Sequence, residues 1–182
     1  MKKILFLAVI AMLAHDSFSQ EGSHKSLQFH SANTVGLIEG SAGSSISLLT
    51  VNGIQYKSFF AGLGTGLDYY KYRSIPLFVS VRNEFGKTRN KFYVFADAGT
   101  NFYWKKDKEA RLYNYYDKIK NRFYGAVGAG YKIKINPQLS WLLSGEYNNK
   151  QLVEFGSYGE GAPADKISYG LHRLLLKTGI EF

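Results

Sequence analysis

Apolar and polar residues alternate along most of the chain, and the alternation is clearest at 92–104. In that stretch every second residue from Phe92 is apolar or small, while the residues between them include Asp97 and Asn101. Period-2 alternation predicts a strand with one apolar face, since successive side chains of a strand point to opposite sides. The same pattern predicts eight strands, at 33–41, 45–55, 58–70, 75–86, 92–104, 122–135, 138–150 and 167–182. The faces of the first two are not assigned from the sequence.

The joins after strands two, four and six are short, and those after strands five and seven are long; the join after strand one, around 40–44, is also short and does not add to this asymmetry. Short turns are predicted at Asn52-Gly53, at 86–90 and at Asn136-Pro137, where turn-forming residues follow strands two, four and six. Long connections are predicted at 105–121 and 151–166. An even strand number with short turns on one side and long loops on the other is typical of bacterial membrane barrels.

Aromatic residues mark both ends of the predicted strands. Phe59 and Tyr69 are ten residues apart, and so are Phe92 and Phe102. Ten strand residues rise about 33 Å, which a tilt near 40° reduces to about 25 Å along the barrel axis. That height matches the apolar band between the aromatic girdles of outer-membrane barrels.

The opposite face of the strands is charged, and it cannot face lipid. We therefore predict an all-β fold, an eight-stranded antiparallel up-and-down transmembrane β-barrel whose charges pair inside a packed lumen. The predicted lumen residues are Asp68, Arg82, Glu84, Asp97, Arg122, Lys132, Glu146, Arg173 and Lys177, with Glu181 as a further acid.

The first residues predict export. Lys2 and Lys3 precede an apolar run at 4–14, and Ser17 and Ser19 follow at cleavage-site spacing, so 1–19 is interpreted as a signal peptide and 20–182 as the barrel domain. The chain has no Cys and a formal charge of +9, of which the part after residue 19 keeps +8. An exported basic protein is expected to meet anionic lipid rather than nucleic acid.

The chain resembles the small outer-membrane β-barrel proteins with an OmpA-like or PorT-like barrel domain. The resemblance rests on GLGTGLDYY at 62–70, SIPLF at 74–78, FADAG at 95–99 and the closing LLLKTGIEF at 174–182. It implies an outer-membrane location, a C-terminal Phe182 that the barrel-assembly machinery recognises as an insertion signal, and structural, surface-interaction or secretion-accessory roles. A monomer without cofactor, metal or catalytic activity is expected.

Two other functions stay open from the sequence. A lipid A acyl hydrolase would need an activated Ser, and His172 with Ser168 is the candidate pair, although about 13 Å is expected between them. His24 and His30 are the other histidines of the exported part, too few to predict a metal site. A narrow porin-like channel is the third function. The alternating glycines at 62–66 resemble a phosphate loop, but no helix is predicted after them.

The connection at 105–122 is the most basic segment of the chain. Leu112, Tyr115, Tyr116 and Ile119 recur at helical spacing, which predicts a short helix there. Its cations beside the outer leaflet predict contact with lipopolysaccharide phosphates. The predicted contact residues are Lys105, Lys106, Lys108 and Arg111.

Overall fold

The fold is a closed antiparallel barrel. The computed structural model describes residues 27–86, 88–103, 116–120, 122–156 and 165–182, with the side chains of 116–120, 154–156 and 165 left aside. All regular secondary structure in these ranges is β, and they contain no helix long and apolar enough to cross a membrane. The strands are β1 (Gln28–Gly40), β2 (Gly43–Tyr56), β3 (Phe59–Asp68), β4 (Ser74–Phe85), β5 (Lys91–Tyr103), β6 (Tyr116–Lys120), β7 (Phe123–Lys134), β8 (Ser140–Gly156) and β9 (Asp165–Glu181).

Eight strands close the barrel, as the sequence predicts. Each of β1 to β4 pairs with the next strand, β5 pairs with β7, and β7–β8, β8–β9 and β9–β1 complete the ring. The short β6 pairs with the outer part of β8, beyond the residues that β7 uses. It therefore lies in line with β7, and the two form one interrupted barrel strand.

The barrel has two distinct ends, which we name by what they carry. The terminal end holds Gln28 and Phe182 together with the turns at 57–58, 86–90 and 135–139. The loop end holds the turn at 41–42, the connection at 69–73 and the two connections that begin after Tyr103 and Gly156. Gly43 and Gly86 have φ of +95° and +118°, a conformation that suits glycine at these turns.

Three predictions about the joins need correction. Asn52-Gly53 is no turn, because both residues pair with β1 and with β3 in mid-strand, and the chain instead turns at Lys57, whose φ is +56°. The connection predicted at 151–166 is twice as long as the observed one, because β8 runs to Gly156 and β9 begins at Asp165. The helix predicted within 105–122 is wrong over 116–120, which forms β6; the preceding residues lie outside the described ranges.

The outer surface is apolar and the interior is polar, as the alternation predicts. Outward-facing Leu63, Phe92 and Leu174 are each more than 60% exposed, whereas Arg173 and Glu181 inside are almost fully buried. A soluble barrel would bury the first group and expose the second. The lumen is filled by side chains, which is the expected content of an eight-stranded barrel.

Candidate functional site in the barrel lumen

A cluster of four charges spans the lumen at the terminal end, and we call it the terminal-end cluster. It consists of Arg82 and Glu84 from β4, Lys132 from β7 and Glu181 from β9. The Arg82 guanidinium lies 2.5 Å from the Glu181 carboxylate, and the Lys132 ammonium lies 2.9 Å from Glu84 and also contacts Glu181. Three strands lie between β4 and β9 in either direction around the ring, so the Arg82–Glu181 pair bridges opposite walls.

Two further side chains border this cluster. Lys91, about one-third exposed, reaches the second Glu84 oxygen at 3.2 Å. His30 places Nδ1 at 3.4 Å from Glu181, while its buried Nε2 has no hydrogen-bond partner among the described residues. The Arg82 guanidinium also lies over the Phe60 ring at 4.6 Å, a contact that favours a desolvated cation.

A second cluster, the loop-end cluster, is built around one carboxylate. Asp68 of β3 accepts a hydrogen bond from Arg173 of β9 at 2.6 Å, and the Lys150 ammonium of β8 lies 3.4 Å from the same oxygen. Arg173 also donates to Asn148, and Lys150 donates to the backbone carbonyls of Tyr70 and Tyr72 at 3.4 and 3.3 Å. Backbone and amide oxygens thus supplement a single acid that is shared by two cations.

An apolar layer covers the loop-end cluster. Ile38, Tyr70, Leu152, Leu171 and Leu175 pack together and are all buried. The Tyr70 hydroxyl accepts a hydrogen bond from the Ala42 amide at 2.7 Å, which ties the layer to the turn between β1 and β2. Packed apolar side chains therefore lie between the loop-end cluster and the turn between β1 and β2.

The middle of the lumen holds an ion pair and a carboxylate that lacks a cationic partner among the described residues. Lys177 donates to Glu146 on the neighbouring strand. Asp97 is buried, forms no ion pair with any described residue, and leaves Oδ1 without a hydrogen bond. It borders a cavity of ≈ 50 Å³ that Ser80, Ser144 and Lys177 also line. A space of that size holds a few water molecules at most.

The structure brings together most of the predicted lumen residues but not Arg122. Arg122 is exposed at the loop end, where the break between β6 and β7 interrupts the alternation on which its prediction rested. Only its backbone carbonyl is engaged, accepting from the Asn101 amide and the Thr100 hydroxyl. The predicted lipopolysaccharide residues Lys105, Lys106, Lys108 and Arg111 lie outside the described ranges.

Sequence reasoning missed Lys150, which is fully buried in the loop-end cluster. The pattern contained the necessary information, since Lys150 has the same parity as the inward-facing Glu146 and Asn148 of β8. The predicted strand ends at this residue, so the alternation assigns it no face.

The candidate hydrolase residues are not arranged as a catalytic pair. His172 lies on the outer surface and its Nδ1 is 2.5 Å from the Tyr147 hydroxyl. Ser168 is opposite Val153 in the register and His172 is opposite Asn149, four positions away along the strand. Within the described residues, no group of three His, Asp or Glu side chains is placed to hold a metal ion.

Solved structures with the same fold include small barrels of the outer membrane. OprG from Pseudomonas aeruginosa matches with a TM-score of 0.67 at 10% identity, covering 87% of this chain and 96% of that chain. Neisserial surface protein A matches at 0.58 and 11%, covering 86% and 97%. AlkL, solved in lipid bilayers, matches at 0.57 and 11%, covering 92% and 95%.

No protein-family model matches the chain, and no curated protein sequence does. At this level of identity the likeness to OprG, Neisserial surface protein A and AlkL concerns architecture. The chain has the fold of the small eight-stranded outer-membrane β-barrels.

Proposed function

We propose that this protein is a non-enzymatic integral outer-membrane barrel with an ion-paired, closed lumen, serving structure, surface interaction or secretion support. The observation that carries the proposal is the Arg82–Glu181 pair, which joins opposite walls through side chains that are less than a tenth exposed. In such a barrel the apolar outer surface contacts lipid, and the charged side chains of the inner surface pair with one another. The terminal end then faces the periplasm and the loop end faces outward.

Conductance across a planar bilayer tests the closed lumen. The protein without residues 1–19, refolded into lipid, should show no steady single-channel openings, because ion pairs and apolar side chains fill the path at both ends. Steady openings in the unmodified protein would contradict the closed lumen and support the narrow-channel function. A known conducting porin in the same bilayers serves as the positive control.

Membrane location is tested separately by fractionation of cells that express the full chain. We expect the protein in the outer-membrane fraction, shortened by about 19 residues if 1–19 is a cleaved signal. Deleting Phe182 tests its role as the insertion signal for the assembly machinery; its backbone pairs with Ser31, so Phe182→Ala is the control that keeps this pairing. Normal insertion of both variants would contradict that role.

Contact with lipopolysaccharide is proposed for the basic residues of the loop end. Lys71 and Lys166 are exposed there, in addition to the predicted Lys105, Lys106, Lys108 and Arg111. Replacing those last four by Ser should weaken binding of lipopolysaccharide and make the remaining binding less sensitive to salt, because the screened charge contacts are removed. Replacing the exposed Lys57, Arg89 and Lys134 of the terminal end is the matched control and should leave binding unchanged.

The hydrolase alternative is excluded or supported by one variant. His172→Ala should leave the acyl content of lipid A unchanged in cells that express the protein, because the His172 ring is engaged by Tyr147. If the unmodified protein changes the acyl content of lipid A and His172→Ala abolishes that change, the hydrolase function is supported.

A further inference from the structure

A small polar area interrupts the lipid-facing surface on β1 and β2. Asn33 and Thr50 are directly opposite each other, and so are Ser31 and Asn52 on the next outward-facing rung; Ser31 is buried, and the other three are partly exposed. We call these four residues the polar ladder. Leu48 and Ile54 face outward on the same strand and are nearly half exposed, so the ladder lies within the apolar surface.

The ladder lies inside the expected hydrocarbon layer. Asn33 is four residues from Phe29, and Asn52 is four residues from Tyr56, both aromatic residues of the terminal end. Four strand residues at a tilt near 40° rise about 10 Å along the barrel axis, out of an apolar band of about 25 Å. Water is absent at that depth, so polar side chains must find partners within protein.

Contacts within the chain satisfy the two amides only in part. The Asn33 amide donates to Ser31 at 3.4 Å, and the Asn52 amide donates to Thr50 at 3.3 Å, both long bonds. Each side-chain amide offers two donors and an accepting oxygen. Among the described residues neither amide oxygen accepts a hydrogen bond, so most of this capacity is unused.

Among the described residues of β5, on the opposite side of the barrel, the outward face is apolar at the same depth. Ala96 on β5 is four residues from Phe92 and corresponds in depth to Asn33, and its outward neighbours Val94 and Ala98 are apolar as well. Beside the ladder, by contrast, the surface carries a groove of ≈ 470 Å³, lined by Asn33, Thr50, Val35, Leu48, Leu67 and Ile180. A recess there lets another protein surface approach the polar groups closely.

We infer that the polar ladder is the contact surface for a second copy of this chain in the membrane. The inference rests on the proposed membrane location. Asn, Ser and Thr each donate and accept, so the ladder is complementary to itself, as a two-fold interface requires. Acyl chains offer no hydrogen-bonding group at this depth. The ladder therefore favours a dimer over the monomer that the sequence predicts.

Single cysteines test this directly, because the chain has none of its own. Thr50→Cys places a thiol in the ladder, and Ala96→Cys places one at matched depth on the opposite side. After refolding into phosphatidylcholine vesicles and oxidation, the Thr50→Cys protein should form at least about tenfold more disulfide-linked dimer than the control, a difference of about 1.4 kcal/mol. Equal cross-linking of the two proteins would overturn the inference.

A second pair of variants shows whether the ladder itself holds the contact. Asn33→Leu with Asn52→Leu in the Thr50→Cys protein should lower dimer yield about tenfold, as expected for the loss of about two interchain hydrogen bonds in a membrane. Ala96→Leu is the control and should change nothing. Undiminished cross-linking in the Leu variant would also overturn the inference.

Energy transfer between labelled copies of the otherwise unmodified protein, at increasing dilution in lipid, provides a measurement that depends on no ladder variant. Dimer dissociation on dilution supports the inference, and absence of transfer at all densities overturns it. Protease protection and heat-modifiable gel mobility report insertion separately. Failure of the unmodified protein to insert would overturn the proposed membrane location, whereas an inserted monomer would overturn only the dimer.

Discussion

At the terminal end of the lumen two carboxylates, Glu84 and Glu181, face Arg82 and Lys132, whereas at the loop end Asp68 alone faces Arg173 and Lys150. The first arrangement is redundant, because Arg82 and Lys132 each contact both acids. Each cation therefore keeps one acid if the other is removed. The second depends on a single acid with supplementary carbonyl oxygens. At the terminal end the two buried cations are balanced by two acids, whereas at the loop end neutral oxygen acceptors supplement a single acid. The two ends should therefore respond differently to the loss of one acid.

The largest effect is expected from Asp68→Asn. The variant leaves Arg173 and Lys150 buried without an acid, and breaking a buried pair in this way costs about 3–5 kcal/mol. Urea unfolding of the vesicle-inserted barrel measures the loss of unfolding free energy. Glu39→Gln, an exposed acid of the loop end, is the control and should cost less than about 1 kcal/mol. Similar losses for both variants would contradict a special role for Asp68.

A smaller loss is expected from Glu84→Gln at the terminal end. Arg82 and Lys132 keep Glu181, and Lys91 can reach water, so we expect about 1–2 kcal/mol. Combining Glu84→Gln with Glu181→Gln removes both acids, and the loss should exceed the sum of the single losses by about 0.5–3 kcal/mol. Strict additivity in this double-mutant cycle would mean that the two acids do not share their cations.

These clusters also mark how far the sequence alone can go. Strict alternation placed Asp68, Glu84 and Arg173 on one face because a strand has only two faces. Alternation failed at Arg122, where the strand is interrupted. The turn signal failed separately at Asn52-Gly53, which continue as strand. The Arg82–Glu181 pairing could not be predicted, since partners across a lumen depend on the stagger of the closed barrel and not on the pattern of any one strand.

A third variant tests the apolar layer above the loop-end cluster. Tyr70→Phe removes the hydroxyl that accepts the Ala42 amide, and because that amide lies in an exposed turn where water can replace the bond, we expect a loss of about 1 kcal/mol or less. The adjacent Tyr69→Phe is the matched control, since Tyr69 faces outward and is 40% exposed. A loss of several kcal/mol for Tyr70→Phe would mean that the hydroxyl organises more than the turn.

The smallest change, and the one with the opposite sign, is expected in the middle of the lumen. Asp97 is a buried carboxylate without an ion pair among the described residues, so Asp97→Asn removes a desolvated charge and should leave stability unchanged or raise it by up to about 1 kcal/mol. Glu146→Gln in the same layer is the control, and it should destabilise the barrel because Lys177 loses its acid. If Asp97→Asn instead costs as much as Glu146→Gln, Asp97 and Glu146 share Lys177. The middle of the lumen would then follow the redundant arrangement of the terminal end.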